Sequence, residues 1–115
     1  MGKMKLEYTE LQDGIRLIKL EGRLDLNGTY SIEVQFVNHC AGDKARVLVD
    51  LSDVSYVSSV GIPMLVNTAK AVVSRGGKMV FINPQENVAK VLELVGVAQV
   101  IPTYPNQKTA LESLL

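Results

Sequence analysis

The chain has 115 residues, 47% of them hydrophobic, which suits a single domain (residues 1–115) built on one core. Its 12 basic and 12 acidic residues cancel, so no basic field draws in phosphate backbones and direct nucleic-acid binding is not expected. No stretch approaches the ~20 apolar residues of a membrane helix, and the one cysteine, Cys40, excludes an internal disulfide and fits a reducing, cytoplasmic setting.

The first residues, Met1-Gly2-Lys3-Met4-Lys5-Leu6, are basic with no apolar run behind them, unlike a signal peptide. Leu6 also stands where a myristoylation signal carries Ser or Thr. Lys5 to Thr9 and Ile15 to Leu24 read as antiparallel strands joined at Gln12-Asp13-Gly14, because Asp-Gly favours a hairpin turn. In the second strand Ile18, Leu20 and Leu24 share one face, with Ile15 and Leu17 on the other. Thr29 to Ala41 reads as a helix on Ile32, Phe36 and Cys40, with Gly42 as its cap. Arg46 to Leu51 is a continuous apolar strand of the kind that helices cover on both faces.

A second helix runs to about Ser74, with Ile62, Leu65, Val66, Ala69 and Val73 as its buried stripe. Gly76-Gly77 ends it. Lys78 to Ile82 is another strand. Asn83-Pro84-Gln85-Glu86 combines three helix-start signals: Asn83 to cap, Pro84 at the first position and Glu86 to complete a capping box. Val88, Val91, Leu92 and Val95 form the next stripe, stopped by Gly96. Val97 to Ile101 reads as a short last strand. A final helix from about Pro105 packs Ala110, Leu111, Leu114 and Leu115. The order predicts an α/β fold: one mostly parallel sheet with an antiparallel N-terminal strand, covered by about four helices. Sites in such sheets gather beyond the carboxyl ends of the strands, here Leu24-Asp25, Leu51 to Ser59 and Asn83-Pro84.

His39 and Cys40 do not form a nucleophile and base, since adjacent helical residues point about 100° apart. The expected roles are a buried thiol and a surface imidazole, and no metal site is expected from so few ligands. The segment Asp50 to Gly61 reads as a hydroxyl-rich loop entering the second helix, with Asp53 in a turn and Asp50 as a loop organiser. Its serines fit a helix cap. They also fit a phosphoryl acceptor, with the phosphate resting on free backbone N–H groups at the helix end. No nucleotide-binding loop and no G-x-S-x-G elbow is present. A protein without catalytic residues or a cofactor is expected.

Gly22-Arg23-Leu24-Asp25, Val47 to Leu51, Ser52 to Ile62, Arg75-Gly76-Gly77-Lys78 and Val91 to Val97 together resemble the STAS family, whose free-standing bacterial members include anti-sigma factor antagonists. The resemblance covers nearly the whole chain, in order and with matching spacing. It implies a STAS-like sheet and a transcription-regulating role. An antagonist binds an anti-sigma factor that is also a serine kinase, which frees the sigma factor. Phosphorylation of a serine in an Asp-Ser-Ser/Ala/Thr-Gly motif separates the pair, and a serine phosphatase resets it. The acceptor falls on Ser59, with Ser58 as the alternative, the motif glycine on Gly61, and the aspartate of the earlier strand end on Asp25. Ser58 replaces the motif aspartate, Val60 replaces a small residue, and Pro63 lies in the first helical turn. The implied partner-binding surface is Asp25, Ser58, Ser59, Gly61 and Met64, with Met64 expected to be off the buried stripe. Two alternatives remain: a STAS scaffold or subunit of a signalling or membrane transport complex without phosphorylation, and a small enzyme or small-molecule binder.

Overall fold

The computed structural model describes residues 3–115. Met1 and Gly2, on which the myristoylation reading falls, lie outside them. Five strands form one sheet in the order β1-β2-β3-β4-β5: β1 (Lys5–Glu10), β2 (Arg16–Leu24), β3 (Arg46–Val57), β4 (Lys78–Ile82) and β5 (Thr103–Tyr104). β1 runs antiparallel to β2, and every other pair is parallel. The four helices are α1 (Leu26–His39), α2 (Gly61–Ser74), α3 (Glu86–Leu94) and α4 (Gln107–Leu114). Among the described residues no helix is long and apolar enough to cross a membrane.

The two faces of β2 bury different residues, as the sequence predicts. Ile18, Leu20 and Leu24 join the larger core with Ile32 and Phe36 of α1, Leu65 and Ala69 of α2, and Val88 and Leu92 of α3. Ile15 and Leu17 join a smaller core with Leu48, Val80 and Ile82 under Ala110 and Leu114 of α4. Three helices thus cover one face and a single helix covers the other. The hairpin turn places both Asp13 and Gly14 at positive φ, as an Asp-Gly turn requires. Gly76 also has positive φ, and α2 ends there in paired bonds from Gly76 N to Val73 O and Gly77 N to Val72 O, each 2.9 Å.

Several elements differ from the sequence reading. β3 does not stop at Leu51. It continues to Val57 beside β2, so Asp53 is a strand residue and not part of a turn. Val54 and Val57 are both buried although three residues apart, because the register shift between them moves the alternation by one residue. The extension bulges twice against β2, and Asp50 accepts a bond from Ser52 N at one irregularity (2.9 Å). β4 ends opposite Asp50, which leaves the far edge of the β3 extension unpaired by any strand. Side-chain amides of Gln85 and Asn87 cover that edge, donating to Ser52 O (2.9 Å) and Ser55 O (2.8 Å).

α1 starts at Leu26, three residues before the expected Thr29, because Asp25 caps it. It ends at His39, with Cys40 as its C-cap, ahead of Gly42. Asn83 does not cap α3. It takes positive φ, its N–H bonds to Tyr104 O at the end of β5, and the helix starts only at Glu86. Val97 to Gln99 forms a 3-10 turn, and the last strand is Thr103–Tyr104. The buried stripe of α2 is Met64, Leu65, Thr68, Ala69 and Val72, while Val73, Val95 and Leu115 are exposed.

Candidate protein-binding site

The carboxyl ends of β2 and β3 meet the N-termini of α1 and α2. Asp25 follows β2 directly, and its carboxylate accepts a bond from Gly28 N at 2.8 Å. The carboxylate caps the positive end of α1. Ser58 follows β3 and holds the start of α2. Its N–H and Oγ both donate to Leu24 O, at 2.9 and 2.8 Å. The same Oγ accepts from Val60 N and Gly61 N, each 3.2 Å, and the Ser58 carbonyl accepts from Ile62 N. Ser58 is therefore the cap of this helix and a staple between two strands. Aspartate, the motif residue at this place, can accept from the same N–H groups, but an ionised carboxylate cannot donate to Leu24 O.

Ser59 is exposed, and its hydroxyl makes no hydrogen bond among the described residues. The next turn is unusual as well. Pro63 has no N–H, so the carbonyl of Ser59 lacks the helical partner four residues on. Pro63 sits inside α2 only two residues from its start at Gly61, where the missing donor is tolerated. Gly61 is buried, and a Cβ there would lie 2.9 Å from Leu24 O. Its part is to let α2 approach β2.

The expected surface is corrected in two places. Gly61 and Met64 are both buried, Met64 to 6% exposure, so neither offers the open contact expected of it. The expected cradle of free N–H groups is also largely used up, since Ser58 takes Val60 N, Gly61 N and Ile62 N and Pro63 has none. A charge on Ser59 would point outward instead of nesting in the helix end. The structure adds Arg23 and Tyr56, which the sequence reading did not select. The Arg23 guanidinium stacks 4.3 Å from the Tyr56 ring and lies 3.6 Å from the Asp25 carboxylate. They face each other only through the bulged β2–β3 register, which no local pattern reveals.

Lys19 and Asp53 pair at 3.1 Å lower on the same strands. The hydrogen bond and charge of Asp53 raise the Lys19 pKa above its ordinary value. His39 is half-buried, its ring stacked on Tyr8 with centroids 4.1 Å apart, while Cys40 is fully buried. Burial raises the Cys40 thiol to about 12, against the opposing pull of Arg16 and Arg75. Among the described residues no group of three or more His, Cys, Asp and Glu gathers as a metal site would need.

This sheet, with one antiparallel edge, three helices on one face and a capping serine at the start of α2, is the architecture of a STAS-type domain. The crystal structure of an anti-sigma factor antagonist from Mycobacterium paratuberculosis is similar, with a TM-score of 0.84 and 21% identity, covering 98% of this chain and 95% of that one. The sequence profile described as the STAS domain matches residues 8–110, and the chain belongs to that family. A Thermotoga neapolitana protein provisionally named an anti-sigma factor antagonist is 32% identical over 69 residues, which span 60% of this chain and 61% of that relative. An anti-sigma F factor antagonist from Paenibacillus polymyxa is 22% identical over 102 residues, covering 88% of this chain and 87% of that one.

Proposed function

We propose that this chain is an anti-sigma factor antagonist of the bacterial cytoplasm. It binds an anti-sigma factor that is also a serine kinase, through the surface around Asp25, Ser58 and Ser59, with Arg23 and Tyr56 at its border. Binding frees the sigma factor. Phosphorylation of Ser59 ends it, and a serine phosphatase restores it. The relatives' names support the antagonist role. The observation that carries the switch is the division of labour between the adjacent serines. The Ser58 hydroxyl is committed to Leu24 O and two helix N–H groups, while that of Ser59 is exposed and unbonded among the described residues.

A phosphate on Ser59 carries nearly two negative charges. It stands outside the bonds that hold α2, so it acts on the interface and leaves the fold intact. Two unit charges about 6 Å apart at an effective dielectric near 20 repel by roughly 3 kcal/mol. A carboxylate on the partner would thus lose about a hundredfold in affinity.

Intact mass with site mapping, on the protein isolated from its native cells in growth and under stress, tests the switch. The expected result is a fraction one phosphate heavier, mapped to Ser59 and lost in Ser59→Ala. Phosphate on Ser58 would move the site. No phosphate under any condition would replace the switch with the constitutive scaffold.

A further inference from the structure

We propose that the amino ends of β3 and β4 form an anion site that takes a diphosphate group. It lies at the pole opposite Ser59 and does not depend on the switch there. A pocket of about 590 Å³ opens between the loops before β3 and β4 and the last turn of α4, lined by Lys44, Arg46, Gly76, Gly77, Lys78 and Leu114. Small-molecule sites occupy roughly 300–1,000 Å³. Three cations converge on this pocket in a chain whose net charge is zero. None of them makes an ion pair among the described residues, whether with Asp13, Asp43 or Glu112 nearby or with the carboxylate of Leu115.

Three features separate these cations from an ordinary solvated surface. Arg46 and Lys78 are register partners on adjacent strands, and both are half-buried. Like charges on facing positions repel, and partial burial adds a cost that only a counter-ion offsets. Lys44 takes a φ of 56°, where glycine would sit with less strain. Its N–H bonds to Arg75 O at 2.9 Å, and Gly76 leaves room for its stem, since a Cβ there would stand 3.5 Å from Lys44 Cγ. Donors are also left over. Lys44 Nζ makes no hydrogen bond among the described residues, and Lys78 Nζ reaches only Ser113 O, at a long 3.5 Å. Arg46 bonds Leu114 O and Asp13 O and keeps its other N–H groups. The end of α4 thus explains part of Arg46, little of Lys78 and nothing of Lys44. The backbone N–H groups of Gly76, Gly77 and Lys78 are all taken by carbonyls, so side chains alone would hold the anion. A single phosphate, with nearly two charges, leaves one cation unmatched, whereas a diphosphate carries about three. No aromatic ring lines the pocket to stack a base, so the diphosphate itself is what is recognised, free or carried by a nucleotide.

Backbone amide chemical shifts, followed as pyrophosphate is added at low ionic strength, test this. Saturable shifts should cluster at Lys44, Gly76, Gly77 and Lys78, and sodium chloride at equal ionic strength should not reproduce them. Lys44→Gly and Lys78→Gln should each weaken binding about tenfold or more. Neither should lower the melting temperature, because glycine accepts the positive φ and glutamine relieves the like-charge pair. ADP is the second probe. Tighter binding than pyrophosphate would assign the diphosphate to a nucleotide, and equal or weaker binding would assign it to the free anion. No saturable shift up to about 10 mM pyrophosphate would overturn the site. So would shifts that sodium chloride reproduces, or an affinity unchanged in either variant.

Discussion

The two ends of the sheet solve the same problem in different ways. At the amino ends of the strands, helix C-termini leave carbonyls without partners, and arginines from distant positions supply them. Arg16 donates to His39 O (2.9 Å) and Ala41 O (2.6 Å), Arg75 to Gly42 O (3.0 Å) and Cys40 O (3.1 Å), and Arg46 to Leu114 O (3.1 Å) and Asp13 O. At the carboxyl ends, short side chains cap their own helices: Asp25 on α1, Ser58 on α2 and Asn106 on α4. Guanidinium staples lock one end. At the other, the caps share the work with single bonds from Ser58, Gln85 and Asn87, and Ser59 is left with nothing to do for the fold. A modification can therefore be added at the capped end without loosening the domain.

The sharpest test of the locked end is the Cys40 thiol. With its pKa near 12 instead of 9.0, the thiolate fraction at pH 8 falls about a thousandfold. Alkylation of the folded chain should be slower than that of the urea-unfolded chain by at least this factor, and comparable rates would mean the amino end opens readily. Because the folded pKa is the higher one, this thiol's contribution to stability is complete below pH 9 and is lost as pH rises toward 12. Next in size, Met64→Arg would bury a charge and cost about 4 kcal/mol. Thermal unfolding should show the loss, and a stable variant would mean that Met64 reaches the surface. Arg75→Ala should cost about 2 kcal/mol and lower the melting temperature by roughly 10 °C. Ser58→Ala should cost about 1 kcal/mol by the same measurement, as the loss of a cap does. Ser59→Ala and Ser59→Asp should both stay within ~0.5 kcal/mol of the parent. A larger fall at Ser59 than at Ser58 would reverse the roles given to the two serines.

Much of this was readable from the residues. The hairpin, the apolar strands and the helix stops at Gly76 and Gly96 follow from local chemistry. What escaped was set at long range. Ser52 to Val57 reads as a loop because its polar residues suggest one. It is a strand because it pairs with β2, some thirty residues earlier, while Gln85 and Asn87 cover its other edge. Asn83 carries every mark of a cap, yet it takes a positive φ beside Tyr104 of another strand and stands three residues before the helix. The α2 stripe was misplaced because Val72 and Val73 fit a helical period equally well, and only the packing on the sheet decides between them. At the site, the resemblance pointed to Ser59. The distinction between a bonded and a free hydroxyl needed the Leu24 carbonyl, contributed by a strand more than thirty residues away.

The single guanidinium of Arg46 spans the hairpin turn and the last turn of α4, bonding Asp13 O and Leu114 O together. This fixes where an attachment would emerge. A fluorophore or affinity handle joined after Leu115 leaves the domain beside the hairpin, at the opposite pole from Ser59. A reporter placed there stands clear of the pole that carries Ser59 and Asp25.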